Sequence, residues 1–198
     1  MTTLSRRGVL AGLFALPFSN PALAARKPYA LSPDGTQVSF MFDLSGIAQT
    51  GSMPIRSADV QIDTSRLQNS EVDVVLDVAK AKTRLPFART PMLSPGVLNA
   101  KEHPTIRFSS TNVQLGTAGR ISDGARITGN LTVRGVTRPI TLNANLYRQA
   151  GSSEDDLDRL SIRLTGGLNR HDFGASGYPD LVQETVGLDI HAEIMRVT

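Results

Sequence analysis

Residues 129–142 read Gly-Asn-Leu-Thr-Val-Arg-Gly-Val-Thr-Arg-Pro-Ile-Thr-Leu, with apolar side chains alternating with polar ones on both sides of a short break. A period of two sends successive side chains to opposite faces of a strand, so each arm has one buried and one wet face. The break must reverse the chain, and Gly135 supplies the positive φ that a tight reversal needs. Pro139 has no N–H, which suits the first position of the returning strand. A two-residue loop at Gly135-Val136 would set Pro139 opposite Thr132 at a hydrogen-bonded position and leave that bond unmade. The spacing therefore predicts a loop of about four residues, Gly135 to Arg138. Val133 then faces Ile140 and Leu131 faces Leu142, all four on one side.

The same period recurs along the chain. Tyr29 and Leu31 begin a first strand, and Asp34-Gly35 marks a turn. Val38, Phe40, Phe42 and Leu44 alternate with Ser39, Met41 and Asp43, giving a strand with an aromatic inner face. Gly46 to Pro54 reads as a loop or a weak edge strand. Val60 and Ile62 mark a short strand, and Val72, Val74, Leu76 and Val78 a stronger one. Pro86, Pro91 and Pro95 then break Thr83 to Ala100 into short helical or irregular pieces. Leu85, Phe87, Met92, Leu93, Val97 and Leu98 in this insertion could fold over one end of a barrel, as a lid or as ordinary packing. Thr105 to Val113 is again a strand, with Ile106 and Phe108 inside. Leu160, Ile162 and Leu164 follow a polar loop, Gly166-Gly167 bends the chain, and Val186, Leu188, Ile190, Ala192 and Ile194 form the last strand. These segments predict an all-β protein: an antiparallel, lipocalin-like barrel of about eight strands with a short helical insertion. Closure removes exposed edges, and a barrel of about eight strands can hold one small ligand.

The central hairpin resembles the signature of the YceI-like family of small bacterial lipocalin-like barrels, G-x-L-T-[IV]-[RK]-G-V-T-[KR]-P-[IV]-x-L. Two further stretches agree in order. Upstream is His103-Pro104-Thr105-Ile106-Arg107-Phe108-Ser109-Ser110-Thr111, and downstream is Leu168-Asn169-Arg170-His171-Asp172-Phe173-Gly174, similar to the family's N-R-x-D-F-G turn. The chain departs from the family pattern at two places. Gly35-Thr36 stands where His-Ser is frequent, and Arg89 is followed by Thr90, so an Arg-Asp pair of the insertion is absent. The resemblance implies a cavity that takes a long isoprenoid or other lipid chain.

The N-terminus reads as an export signal. Arg6 and Arg7 form a charged region, Gly8 to Phe18 a short apolar one, and Ala22-Leu23-Ala24 a cleavage site. The apolar run falls short of the roughly 20 residues that span a bilayer. Ser5-Arg6-Arg7-Gly8-Val9-Leu10 resembles the twin-arginine motif, with Val9 in place of the usual Phe and the Sec route as the alternative. Residues 1–24 are therefore expected to be removed, leaving residues 25–198 as one periplasmic domain. Arg6 and Arg7 leave with the leader, so the 21 basic residues of the whole chain become 19 against 18 acidic ones. That near-neutral balance, with no basic run interleaved with aromatics, points away from nucleic acid. The chain has no cysteine, which excludes disulfides, thiolate metal sites and lipidation through a modified cysteine.

Catalytic parts are missing from the sequence. His103, His171 and His191 are the three histidines, no nucleophile-elbow motif accompanies them, and no ligand spacing suggests a metal. The reading is a protein that is not an enzyme. Asp155, Asp156 and Asp158 read as a solvated loop. Asp172 could accept backbone N–H bonds in its turn, Gly174 could supply positive φ, and Arg170 could pair with Asp172 or with a ligand head group. Arg134 and Arg138 read as solvated charges beside the central turn.

The inner faces carry the signal. Phe40, Phe42, Val74, Leu76, Ile106, Phe108, Leu131, Val133, Ile140, Leu142, Ile162, Leu164, Leu188 and Ile190 all point one way by alternation. Alternation alone fits a filled core as well; the resemblance makes these residues a lipid-binding set and implies a carrier for an isoprenoid or other long-chain amphiphile, a polyprenyl quinone or polyprenyl phosphate among them. No other cofactor is expected. The protein would make transient contact with the inner membrane, and its oligomeric state stays open, a dimer included. The alternative is a stress-linked structural or interaction protein whose barrel is packed solid and takes no ligand.

Overall fold

A computed structural model describes residues 26–116, 124–148, 151, 153 and 156–197; the export signal and Asp155 lie outside the described residues. Eleven strands form one antiparallel sheet: β1 Lys27–Leu31, β2 Gln37–Leu44, β3 Ile47–Ser52, β4 Ile55–Ile62, β5 Glu71–Asp77, β6 Lys82–Thr83, β7 Thr105–Leu115, β8 Ala125–Val133, β9 Val136–Arg148, β10 Arg159–Asn169 and β11 Val182–Arg196. The order β1-β4-β5-β7-β8-β9-β10-β11 closes on itself, because β1 also pairs with β11. The result is an eight-stranded barrel. β2, β3 and β6 extend from the free length of β11.

Two bends explain the extra strands. β11 pairs its Val182–His191 stretch with β2 and its Ile194–Arg196 end with β1, so β1 and β2 are halves of one long bent run. β3 and β4 are likewise joined through Met53 and Pro54, where Met53 N–H donates to Val38 and Asp77 N–H donates to the Pro54 carbonyl. The stretch Gly46 to Pro54 is thus a true edge strand. Beyond β2 it meets only the two residues of β6, at Gly51 and Ser52.

The central hairpin differs from its expected register. Val133 pairs with Val136, Thr132 with Thr137, Leu131 with Arg138 and Asn130 with Pro139. The turn is the two residues Arg134 (φ 52°) and Gly135 (φ 75°), the doubly positive geometry that matches strand twist. Pro139 satisfies this shorter loop because hydrogen-bonded and open pairs alternate along the ladder. Counting from the closing pair Val133–Val136, Asn130–Pro139 falls on an open pair. On its other edge β9 meets β10 only from Asn143 onward, so no ladder bond needs the missing N–H. Ile140 then faces Gly129 and Leu142 faces Ile127, and the four expected inward residues still share the interior.

Two smaller differences have local causes. Val78 leaves β5 for a 3-10 turn, Val78–Lys80, because the Asp77 side chain caps it by accepting from Lys80 N–H. At the Gly166-Gly167 pair β10 runs on in register with β11. The insertion contains one helix, α1 Pro86–Leu93, with proline preset at its start and Pro91 inside. It packs Met92, Leu93, Leu98 and Ala100 against the buried Val78, Ala81, Ile106, Leu131, Val133 and Phe173.

Candidate ligand cavity

A cavity of about 460 Å³ runs through the barrel. All fourteen residues expected on the inner faces border it: Phe40, Phe42, Val74, Leu76, Ile106, Phe108, Leu131, Val133, Ile140, Leu142, Ile162, Leu164, Leu188 and Ile190. The insertion adds Phe87, Ala88, Pro91, Met92, Val97 and Leu98, and the segment after β10 adds Tyr178, Leu181 and Val182. Thr36, Arg170 and Tyr178 are the polar side chains among the lining residues.

The barrel is hollow for a reason that lies in its glycines. Gly51 sits directly across from Phe40, Gly129 faces inward beside Phe108, and Gly166 sits across from Leu188 next to Leu142. A Cβ on Gly51 would fall 2.2 Å from the Phe40 ring, one on Gly129 2.4 Å from the Phe108 ring, and one on Gly166 2.7 Å from Leu142. Each large side chain therefore lies flat over a glycine of the neighbouring strand. Mass that would otherwise project to the axis is laid along the wall. Alternation alone did not separate a hollow barrel from a solid one. Three glycines at inward positions were the available signal.

One end of the cavity is sealed. Tyr29, Val60, Leu160 and Ile194 are buried together, with Leu31, Ile62, Val72, Leu146 and Ile162 against them. The Tyr29 hydroxyl donates to the Leu157 carbonyl at 2.8 Å, and Arg196 pairs with Asp158 at 2.6 Å. The other end is built from loops: the β2–β3 and β8–β9 turns, the insertion, and residues 170–181. Phe87, Tyr178 and Leu181 both line the cavity and stand exposed, so the mouth lies between α1 and the 178–182 segment.

Arginines brace these loops through backbone carbonyls. Arg170 is only 5% exposed. Its Nε donates to Gln183 O at 3.0 Å, its Nη2 to Val182 O at 2.8 Å, and its Nη1 to Gly177 O at 2.8 Å and to Ala175 O. The expected partner Asp172 is exposed and not bonded to it. Burial pushes the Arg170 guanidinium below its ordinary value, opposed by the field of Glu184. The turn that carries it, Arg170–Phe173, is capped by the Asn169 side chain, which accepts from His171 N–H, and it closes on Gly174 at φ 71°. Asn169 thus does the capping expected of Asp172.

Arg134 is a second correction. It is no solvated charge: its Nη1 donates to Val97 O at 3.0 Å and also to Gly174 O, tying the central hairpin to the insertion and to the 170–177 turn. Arg138 is exposed as expected. Arg89, lacking an acidic neighbour, donates to Ala81 O at 3.1 Å and Ala79 O at 2.7 Å. Gly177 N–H donates to Gly96 O at 2.7 Å, and a Cβ on Gly177 would lie 2.9 Å from that backbone. These bonds hold the insertion across the end of the barrel.

The histidines stay apart. His103 lies under Gly135, His171 has its Nδ1 3.9 Å from Glu184, and His191 on the outer wall is 3.3 Å from the Ser161 hydroxyl. Among the described residues no three His, Asp or Glu side chains converge as a metal site would require. No helix among them is long and apolar enough to cross a membrane.

A closed antiparallel barrel around an apolar cavity with one open end defines a lipocalin-like barrel, the class that holds a small hydrophobic ligand. The chain belongs to the YceI-like family, whose domain it matches over residues 29–194. A UPF0312 protein of Pseudomonas putida is 30% identical over 131 residues, 66% of this chain; the chain spans just under two thirds, 65%, of that relative's length. A UPF0312 protein of Pseudomonas savastanoi pv. phaseolicola is 28% identical over 182 residues, covering 90% of this chain and 91% of the relative. The fold is similar to that of Burkholderia cenocepacia BcnA, with a TM-score of 0.71 and 16% identity over 83% of this chain and 99% of that one. It is also similar to that of the Campylobacter jejuni YCEI protein, with a TM-score of 0.57 and 20% identity over 75% and 84% of the two chains.

Proposed function

We propose that this protein is an exported, periplasmic carrier that holds the chain of an isoprenoid or other long amphiphilic lipid inside its barrel. The observation that carries the reading is the apolar cavity, kept open by glycines beneath Phe40, Phe108 and Leu142. Its 460 Å³ falls in the roughly 300–1,000 Å³ range of small-molecule sites. Each methylene buried there contributes about 0.8 kcal/mol, so an apolar tail needs no specific polar partner. A tail longer than the cavity would leave its polar head at the mouth, beside Tyr178. The mechanism is sequestration and transfer, with no covalent step. The solid-barrel alternative, a structural or interaction protein, fits the cavity poorly.

Native mass spectrometry of protein exported in its own host, followed by organic extraction, tests the reading. A discrete co-purifying mass with an isoprenoid fragmentation pattern is expected. A consistently ligand-free mass, with no uptake of added quinone or polyprenol, would overturn it. Leu164→Trp places a large ring in the middle of the empty space, and it should abolish uptake while leaving the fold and thermal midpoint close to wild type.

A further inference from the structure

The mouth of the cavity is unusually apolar on its outside. Phe87 is 71% exposed, Ile47 64%, Leu181 50% and Tyr178 44%. Single exposed apolar side chains are ordinary on protein surfaces, but these four surround one opening. Phe87, Tyr178 and Leu181 line the cavity itself. Ile47 pairs with the cavity residue Leu44 at the tip of the β2–β3 hairpin, where Ser45 N–H donates to Leu181 O at 2.8 Å.

Charge is arranged unevenly around that rim. Between Val78 and Pro104 the insertion carries Lys80, Lys82, Arg84, Arg89 and Lys101 against Glu102; Lys80 pairs with Asp77 and Arg89 bonds carbonyls, which leaves Lys82 and Arg84 as the exposed cations nearest the β2–β3 hairpin. Lys82 and Arg84 are exposed and flank the β3–β6 edge; Arg84 N–H bonds Thr50 O, which brings this basic strip to the hairpin that ends in Ile47. Asp172, Asp180 and Glu184 are exposed after β10, with Asp180 next to the Leu181 that Ser45 contacts. Asp43, near Ile47, is engaged in capping its own turn by accepting from Gly46 N–H.

From this arrangement we infer that the rim is a membrane-docking surface: Phe87 and Ile47 enter an anionic bilayer between its head groups, while Lys82 and Arg84 bind the lipid phosphates. The inference rests on the carrier reading of the cavity, since docking mouth-down would let an apolar chain pass between bilayer and barrel without crossing water. Apolar insertion and basic attraction to anionic lipid act together in such contacts.

Co-sedimentation of the mature protein with phosphatidylcholine vesicles containing about one third phosphatidylglycerol tests this, against vesicles of phosphatidylcholine alone. Binding to the anionic vesicles is expected, weakening as salt rises. The double variant Lys82→Gln/Arg84→Gln should lose about 25-fold in affinity for anionic vesicles, near fivefold per charge, and change little on neutral ones. Ile47→Ser with Phe87→Ser should lose at least about tenfold on anionic vesicles, and Leu181→Ser less. Wild-type protein that stays in solution at low salt would overturn the inference. So would binding untouched by Ile47→Ser, a single change outside the cavity lining that should fold normally. Concentration-dependent dimers in sedimentation velocity, lost with Ile47→Ser, would also overturn it and assign the rim to self-association. A fluorescent apolar probe added without vesicles separates the two readings: uptake without vesicle binding overturns docking alone, and vesicle binding without uptake overturns the carrier reading alone.

Discussion

The two ends of the barrel are held by different physics. At the sealed end, strands converge on Tyr29, Val60, Leu160 and Ile194, all buried, and their cohesion comes from apolar contact. At the open end, loops of dissimilar sequence meet; Arg170 and Arg89 each brace their own segment by donating to its carbonyls, and Arg134 joins two segments through Val97 O and Gly174 O. A packed end resists deformation everywhere. A braced end is rigid only where its ties hold, and it leaves a gap between α1 and Tyr178 through which the interior communicates with the outside. The difference shows how one barrel can be both stable and accessible.

The contrast can be broken from the sealed side first. Ile194, 1% exposed, should cost about 3 kcal/mol when changed to Ala, or roughly 10 °C in Tm, measured by calorimetry. Hydrogen exchange should quicken throughout the barrel, because that end belongs to the global core.

Arg170→Lys should cost about 2–3 kcal/mol, since one ammonium cannot serve four carbonyls spread over three nitrogens. Here hydrogen exchange should quicken in residues 170–183 and in the insertion, while amides around Tyr29 and Ile194 keep their protection. A uniform loss of protection would contradict the division into two ends. Gly129→Ala is expected to cost about 1–2 kcal/mol. The new methyl meets the Phe108 ring and the Ser109 carbonyl, 2.6 Å away, so the ring turns inward and ligand uptake falls with little change at either end.

The smallest effect belongs to the outer wall between the ends. Burial would raise the Asp73 carboxyl, but hydrogen bonds from Arg107 and Ser109 outweigh it and hold the group below its ordinary value. The Arg163 hydrogen bond does the same for Asp189. A folded-state value below the unfolded one adds stability at neutral pH that is lost as pH falls from about 4 through the folded value. Both pairs are half in solvent, so the loss should stay below about 1 kcal/mol. Asp73→Asn should lower Tm by no more than a few degrees at neutral pH, flatten the acid limb of a Tm-versus-pH curve, and converge with wild type once the carboxyl is protonated in both states.

The wall was the legible part of the sequence. Alternation placed all fourteen inward residues because a strand offers only two faces. The hairpin register was harder. Avoiding one unmade bond at Pro139 suggested a longer loop, whereas placing Arg134 as well as Gly135 at positive φ removed the conflict. A non-glycine residue in that conformation is uncommon enough that local rules pass over it. The roles of Arg170 and Arg134 could not be read at all. Their partners, such as Val182 and Val97, are backbone carbonyls that any residue would provide, so no side-chain pattern announces them. The glycines at 51, 129 and 166 were visible, but their meaning depends on which neighbour lies across the strand.

The last described strand closes the ring. β11 touches β10, β2 and β1, so the ring joins only when the final stretch of polypeptide meets the first described strand. Such distant pairing is slow, and unclosed sheet edges invite wrong partners. The same strand is therefore the one whose detachment would free three edges at once, those against β10, β2 and β1.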